Sequence, residues 1–329
     1  MSAFFMPSIS SLAWWRITAL VFALINLKAL PLAWHFRLLY RMISQWYTLA
    51  RVQRTLTTRA SASTTNKTHP LFEPVSIFSR APFLETDYNL HKSNSTYFSD
   101  LDESRTALMT KVLIPGLKRG SKNLEKEGHK GRLGVILGSV HTSFHHEIKP
   151  YERYEVRSRV LTWDRKWIVV GSWFIRPARK GREEVVLASA LSKYVIKKGR
   201  FTVAPERGFA NAGWLPEKPD DHTTGAGQKR ESSDDSETAL SVPTPEGIPE
   251  PVLEAAVDAT AEIVEKLEDA AEKVSRTQPA AKFPGPVATR TQVGEWDWHR
   301  IEKERVRGLR VAANWLALDK ELLDEFMRE

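Results

Sequence analysis

One short segment of the chain joins a strand-like run to a helix-like run, and it reads Asp87-Tyr88-Asn89-Leu90-His91-Lys92-Ser93-Asn94-Ser95-Thr96-Tyr97. The residues before it, Val75 to Phe83, predict a strand. A helix is predicted from Asn94 or Ser95 to about Thr110, with Ser93 also suited to the N-cap position. A carboxylate at such a junction can lie beside the helix N-terminus, whose free N–H groups can face a developing oxyanion.

Four further strand-like runs follow the helix, each rich in Val, Ile, Thr, Trp or Tyr. Proline, glycine or aspartate interrupts the sequence between them. The runs are Val135–Ile148, Tyr154–Trp163, Trp167–Ile175 and Glu184–Ile196. Between the helix and these runs, Pro115 to Gly131 is basic and is interpreted as a loop with a short helix. One strand, one long helix and several consecutive strands predict an α+β fold with an antiparallel sheet around the helix.

The pattern Asp-x3-His-x2-Asn-x2-Tyr, from Asp87 to Tyr97, resembles the signature of hotdog thioesterases related to 4-hydroxybenzoyl-CoA thioesterase. The closest resemblance is to the membrane-associated thioesterase superfamily member six group and its fungal relatives, some of which accompany secondary-metabolite pathways. A second stretch, Phe144 to Val156, resembles the family's connection between the second and third strands. The similarity covers about His69 to Arg207 and implies a hotdog fold, an antiparallel sheet wrapped around one long helix.

Carried over to this sequence, the resemblance implies that Asp87 is the catalytic carboxylate, acting on a water as general base or on the thioester as nucleophile. The backbone N–H near Asn94 would supply the oxyanion site, aided by the helix dipole. His91 and the Asn94 side chain would orient the water, the carboxylate or the substrate carbonyl, while Tyr97 would pack. The alternatives are that Asp87 caps a turn or helix and that His91 makes a structural hydrogen bond.

The sequence departs from the family pattern at two positions. Leu90 stands where many relatives have glycine, so a different turn is expected before His91. Ser93 stands where the first residue of an Asn-Asn pair is usual, which removes one amide. Neither change removes the carboxylate of Asp87.

The resemblance implies hydrolysis of an acyl thioester, on coenzyme A or a carrier protein, at a membrane surface and in lipid or secondary metabolism. The family usually pairs two such domains, so a homodimer is expected. No metal and no redox cofactor is required. The alternatives are a non-hydrolytic acyl-binding or lipid-homeostasis protein, a membrane-tethered scaffold, and a dehydratase on the same fold.

The composition excludes several other functions. The chain has 329 residues and no cysteine, so disulfides, thiolate metal sites and cysteine nucleophiles are absent from it. The net charge of +8 does not indicate nucleic-acid binding, because Met1 to Phe72 contains no Asp or Glu and much of the excess charge lies there. His146 would point away from His141 and His145 on a strand, which argues against a metal site.

The N-terminal segment predicts a membrane anchor. Leu12 to Leu32 is mostly apolar and about the length that spans a bilayer. Its basic residues Arg16 and Lys28 are expected to snorkel toward the interface. Trp residues typical of a membrane interface flank the segment, namely Trp14, Trp15 and Trp34. A cleaved signal peptide is disfavoured, and a mitochondrial presequence is the alternative interpretation.

The residues after this span are basic, which by the positive-inside rule puts the remainder of the chain in the cytosol, at the endoplasmic reticulum or alternatively the mitochondrion. They also predict an interfacial amphipathic helix with Arg37 and Arg41 opposite its apolar face. The apolar positions are Phe36, Leu39, Ile43, Trp46 and Ala50.

The chain is therefore divided into seven segments. They are a membrane anchor and interfacial helix (1–54), a linker (55–68), the hotdog thioesterase-like domain (69–215), a disordered linker (216–249), an amphipathic helix (250–276), a second linker (277–292) and a C-terminal helix (293–329).

Two groups of side chains complete the sequence predictions. The last helix carries large apolar residues that need a partner surface on this domain, another subunit or a membrane. They are Trp296, Trp298, Trp315, Leu316, Leu322 and Phe326. On the long helix, Asp100, Asp102 and Glu103 are interpreted as a solvated face, with a place in a site as the alternative for Asp100.

Overall fold

The computed structural model describes residues 9–58, 68–179, 181–216 and 296–326. Helices α1 (Ile9–Ile25) and α2 (Ala33–Thr58) precede strand β1 (Val75–Arg80) and the long helix α3 (Asn94–Lys126). The elements that follow are β2 (Leu133–Phe144), β3 (Arg153–Trp163), β4 (Trp167–Arg176), β5 (Val185–Lys198), β6 (Phe201–Val203), α4 (Pro205–Asn211) and α5 (Trp298–Phe326).

The strands form one antiparallel sheet in the order β1-β3-β4-β5-β2, and β6 pairs with β5. Helix α3 packs on one face of this sheet, which we call the inner face. Leu101, Leu108 and Val112 follow each other at helical spacing along α3 and are fully buried there. The predicted α+β hotdog arrangement of an antiparallel sheet around one long helix is confirmed, including the five long strands.

Helix α3 is longer than its sequence indicates. It runs through Pro115 to Lys126, so the interpretation of Pro115 to Gly131 as a loop with a short helix was wrong. Its later turns are held by packing against α4: Gly116 lies so close to the backbone of Ala212 that a Cβ atom there would approach the nitrogen to 2.4 Å. This close packing offsets the backbone hydrogen bond that proline removes.

Helix α5 covers the opposite, outer face of the sheet. Gly308 and Ala312 are buried there, whereas Ile301 near the start of α5 belongs to the same core cluster as Leu108 and Val112 of α3. The Thr162 hydroxyl donates to the Arg305 carbonyl at 2.7 Å, and a Cβ on Gly308 would lie 2.0 Å from the Leu161 carbonyl oxygen. The partner surface of this helix, over its described side chains, is therefore the domain's own sheet. The predicted linkers and amphipathic helix between 217 and 292 lie outside the described residues.

The predicted membrane span from Leu12 to Leu32 is not found. Helix α1 ends at Ile25, a short 3₁₀ turn follows at Leu27–Ala29, and α2 begins at Ala33. Within the described ranges, no helix is both long enough and apolar enough to cross a bilayer. The physical reason is that the apolar stretch is interrupted by Asn26 and Lys28, whose side chains bind the domain.

Helix α2 uses its basic side chains to dock. Arg37 and Arg41, expected beside lipid, instead form ion pairs with carboxylates of α3, while Phe36 on the other side is 68% exposed. The helix also continues to Thr58, past the predicted boundary at residue 54.

Candidate active site

The turn before α3 is organised around the backbone and side chain of Asp87. Its N–H donates to the His91 carbonyl at 3.0 Å, and its own carbonyl accepts from the Leu90 N–H at 3.0 Å. Carboxylate oxygen Oδ1 accepts from the Asn89 N–H at 2.9 Å. Oxygen Oδ2 lies 3.5 Å from Nδ1 of His91. One carboxylate oxygen therefore fixes the turn, and the other faces the imidazole.

Leu90 takes a backbone conformation that glycine adopts more readily than any other residue. Its φ angle is +58°, in the left-handed region that disfavours residues with a Cβ. The expectation that this turn differs from that of relatives stays a prediction. The backbone angle of Leu90 costs local strain of order 1–3 kcal/mol.

The N-terminus of α3 offers free donors beside this turn. Ser93 precedes the helix with extended dihedral angles, and its side chain makes no capping hydrogen bond. Over the part of the chain that the structure describes, the backbone N–H groups of Asn94 and Ser95 have no acceptor. The first N–H groups of a helix bind anions well, because they carry the positive end of the helix dipole.

The structure brings two of the three predicted site residues into contact. The side chains of Asp87 and His91 are 22% and 28% exposed, so both are reachable by a ligand. Asn94 is exposed, and among the described residues its side chain makes no hydrogen bond to either of them. Tyr97 is buried, with its ring 5.0 Å from that of Phe144, and burial raises its pKa.

A second group of charged side chains, which we call the buried cluster, lies about Asp100. It comprises Lys28, Arg37, Glu85, Lys92, Asp100, Glu103 and Tyr154. The Asp100 carboxylate is fully buried and lies 2.8 Å from Lys28 Nζ, 3.0 Å from Lys92 Nζ and 2.9 Å from Arg37. The Tyr154 hydroxyl donates to it at 2.5 Å.

These contacts determine the charge state of Asp100. Burial alone would raise the pKa of this carboxyl, but Lys28, Lys92 and Arg37 together hold it well below its usual range. Burial lowers the pKa of Lys28, although Asp100 and Glu85 act in the opposite direction. For Tyr154, burial and the neighbouring Asp100 raise the pKa of the hydroxyl well above its ordinary value. Asp100 therefore remains ionised with its hydrogen-bonding capacity filled.

The interpretation of Asp100, Asp102 and Glu103 as a solvated face was wrong for two of the three. Asp100 is 0% and Glu103 4% exposed, and only Asp102 reaches solvent. Two signals could have indicated this. The apolar N-terminal stretch contains an isolated Lys28, and two carboxylates stand three residues apart on one face of α3.

The three histidines considered as metal ligands make other contacts. His145 Nε2 lies 2.9 Å from the Ser189 hydroxyl, and His141 Nε2 lies 3.3 Å from that of Ser143. Among the residues that the structure describes, no group of three His, Asp or Glu side chains could hold a metal ion.

Comparison with known proteins identifies the family to which this chain belongs. Residues 81–207 match the family model described as "Thioesterase-like superfamily". Thioesterase lcsJ of Purpureocillium lilacinum is 40% identical over 230 residues, which cover 63% of this chain and 74% of that protein. Probable thioesterase atnL of Emericella nidulans is 37% identical over 219 residues, covering 59% and 70%. The chain therefore belongs to the thioesterase-like superfamily and has the fold of thioester hydrolases.

The solved structure of 4-hydroxybenzoyl-CoA thioesterase from Pseudomonas sp. strain CBS-3 is also similar. It is 15% identical and aligns with 43% of this chain and 99% of its own, at a TM-score of 0.33.

Proposed function

We propose that this protein hydrolyses an acyl thioester of coenzyme A or of a carrier protein, with Asp87 as the reacting carboxylate. The observation that carries the proposal is the partly exposed Asp87 carboxylate, 3.5 Å from His91, in the turn that leads into α3. The names of the fungal relatives lcsJ and atnL support the activity. Asp100 is fully paired with buried cations, whereas Asp87 is partly exposed and has His91 as its side-chain partner.

In the general-base route, Asp87 accepts a proton from a water as the water oxygen attacks the thioester carbonyl carbon. The carbonyl oxygen becomes an oxyanion, which the free N–H groups of Asn94 and Ser95 stabilise. Collapse of the tetrahedral intermediate breaks the carbon–sulfur bond. The protonated Asp87 then returns its proton to the leaving thiolate, and His91 holds the carboxylate in position.

In the nucleophilic route, Asp87 attacks the carbonyl carbon itself and forms a mixed anhydride, which water then hydrolyses. In the general-base route, oxygen from water enters only the product acid. In the nucleophilic route, it can also enter the Asp87 carboxylate. We would run a single turnover in ¹⁸O-labelled water with enzyme in excess and examine the peptide that contains Asp87 by mass spectrometry. Label in that peptide supports the nucleophilic route, because water can then attack the aspartyl carbon.

The main test is thiol release by the full-length protein from a panel of aliphatic and aromatic acyl-CoAs and from acylated carrier protein. Asp87→Ala is expected to reduce turnover by about 10²–10⁴-fold, the usual contribution of a positioned acid or base. Glu183→Gln is the matched control, since Glu183 is an exposed carboxylate far along the sequence, and it should retain full activity.

Two outcomes would contradict the proposal. Turnover by Asp87→Ala within threefold of the unaltered protein would show that this carboxylate does not react. Acyl-CoA or acyl-carrier-protein binding without thiol release on any substrate would instead support the acyl-binding alternative.

Contact with a membrane surface is a separate part of the proposal. Trp14 and Trp15 on α1 are 70% and 64% exposed, and large aromatic side chains of this kind favour the membrane–water interface. We expect the full-length protein to float with anionic phospholipid vesicles, and the double substitution of Trp14 and Trp15 by Ser to weaken that flotation. Sedimentation of the unaltered protein free of vesicles would contradict this part alone.

A homodimer is the third part of the proposal. Strand β2 forms an edge of the sheet, and an unpaired edge can pair with a second copy. Light scattering coupled to size-exclusion chromatography is expected to give twice the chain mass, and a monomer at working concentration would contradict it.

A further inference from the structure

A cavity of about 470 Å³ lies between α5 and the outer face of the sheet. Strands β2 to β5 form its floor and α5 forms its roof. The residues that define its chemistry are Arg159, Leu161, Trp173 and Leu191 from the sheet with Arg307 and Val311 from α5. Its volume falls in the range of about 300–1,000 Å³ that is usual for small-molecule sites.

The sheet separates this cavity from the turn of Asp87. Ser158 points to the inner face, where its hydroxyl lies 2.7 Å from that of Ser104 on α3. The next residue, Arg159, points to the outer face, because successive side chains of a strand alternate. Nothing in the proposed hydrolytic mechanism uses the cavity.

Arg159 has unused hydrogen-bonding capacity. Its guanidinium lies 5.5 Å from the ring centre of Trp173, and within the described ranges it makes no hydrogen bond and no ion pair. Burial and the neighbouring Arg307 lower its pKa, which shows that a positive charge is held here at a cost. A partly buried guanidinium with free N–H donors is a binding group for a planar anion.

The charges of Arg159, Arg307 and Glu304 favour a ligand with one negative charge. Arg307 is paired with Glu304 at 2.7 Å, so the charges of these two side chains cancel. The net charge of the three is +1, which a monoanion neutralises and a dianionic phosphate exceeds. The surrounding Leu161, Leu191 and Val311 add an apolar surface that an inorganic anion would leave uncovered.

We propose that this cavity binds an amphipathic carboxylate, such as a free medium-chain fatty acid. Its carboxylate pairs with Arg159, and its chain lies against Trp173, Leu161, Leu191 and Val311. The site is distinct from the thioester site, so the inference does not depend on the role of Asp87.

The experiment is calorimetric titration of the full-length protein with dodecanoate below its micelle concentration. The unaltered protein is expected to bind one dodecanoate per chain, and Arg159→Gln to weaken the affinity at least tenfold. Arg310→Gln is the control, because Arg310 is an exposed arginine of α5 that does not line the cavity. Asp87→Asn is expected to bind dodecanoate unchanged while losing turnover, which separates this proposal from the hydrolytic one.

A second substitution tests the apolar part without touching Arg159. Val311 lines the cavity and is 62% exposed, so we expect the fold to tolerate Val311→Trp and the larger side chain to occupy space needed by the ligand's chain. It is expected to weaken dodecanoate binding at least fivefold. Absence of binding, equal binding by the Arg159→Gln protein, or tighter binding of dodecanol or dodecyl phosphate than of dodecanoate would each overturn the proposal.

Discussion

Two acidic regions lie near the start of α3, and they differ in how their carboxylates are held. In the turn, Asp87 is partly exposed and has one side-chain partner, His91. In the buried cluster, Asp100 is fully buried and contacts Lys28, Lys92 and further donors. The first carboxylate is reachable by a ligand. The second is fixed as an anion and joins the N-terminal helices to the domain.

The comparison shows that a strongly shifted pKa is by itself no sign of a catalytic group. Burial would raise the pKa of Asp100, yet three neighbouring cations, Lys28, Lys92 and Arg37, hold it far below its usual range, and these are contacts of docking. A general base that never binds a proton near neutral pH cannot take one from water efficiently. Substitutions should therefore separate the two regions into one that affects stability and one that affects turnover.

The largest effect on stability is expected from Asp100→Asn. It removes one of the two carboxylates that Lys28 and Lys92 share and leaves only Glu85, and breaking a buried ion pair costs about 3–5 kcal/mol. The free energy of unfolding from urea denaturation measures this. A loss below about 1 kcal/mol would show that the cluster does not hold the N-terminal helices in solution.

A smaller effect is expected from Lys28→Met. Asp100 keeps Lys92, Arg37 and Tyr154 as partners, so the cost is that of one weakened buried contact, about 1–3 kcal/mol. Limited proteolysis should also cut α1 and α2 faster in this variant than in the unaltered protein. Equal cutting rates would indicate that Lys28 is not needed for docking.

A pH-dependent effect is expected from His69. Burial lowers the pKa of its imidazole to about 4, and its Nδ1 accepts from the Leu71 N–H, which requires the neutral ring. Because the unfolded chain binds the proton more tightly, stability is lost as the pH falls from about 6.5 to about 4. His69→Gln should flatten this part of the curve of unfolding free energy against pH.

The contribution of Asp100 to stability is present above its ordinary pKa of 3.8 and is lost only at lower pH.

The smallest effect on stability is expected from Asp87→Asn. The amide oxygen can still accept from the Asn89 N–H, so the unfolding free energy should change by less than about 0.5 kcal/mol. Thiol release should nevertheless fall sharply. Loss of stability in proportion to activity would mean that the turn, rather than the carboxylate, is the functional feature.

The sheet and the long helix could be predicted from local patterns. The β-branched and aromatic runs located all five long strands to within a few residues, because buried strands need such side chains over a continuous stretch. The extension of α3 past Pro115 could not be predicted in this way. It depends on the close contact of Gly116 with α4, which lies about a hundred residues further along the chain.

The position of the N-terminal helices was the least predictable part. Hydropathy reports only how apolar a segment is, and the segment containing Lys28 is apolar over most of its length. The docking of Lys28 and Arg37 depends on carboxylates at Asp100 and Glu103, more than sixty residues away. The segment from Asp87 to Tyr97 lies at the strand–helix junction as predicted, but the contact between Asp87 and His91 depends on the geometry of the turn.

Leu90 gives that turn an additional property. A leucine held at φ +58° has few alternative conformations, so the ensemble of the turn is narrow even though its side chain is exposed. Glycine at this position would relieve the strain and also broaden the ensemble, since glycine is the most flexible residue. In the proposed mechanism, the unfavourable backbone angle of Leu90 would act as preorganisation, holding the Asp87 carboxylate beside the His91 ring before substrate binds.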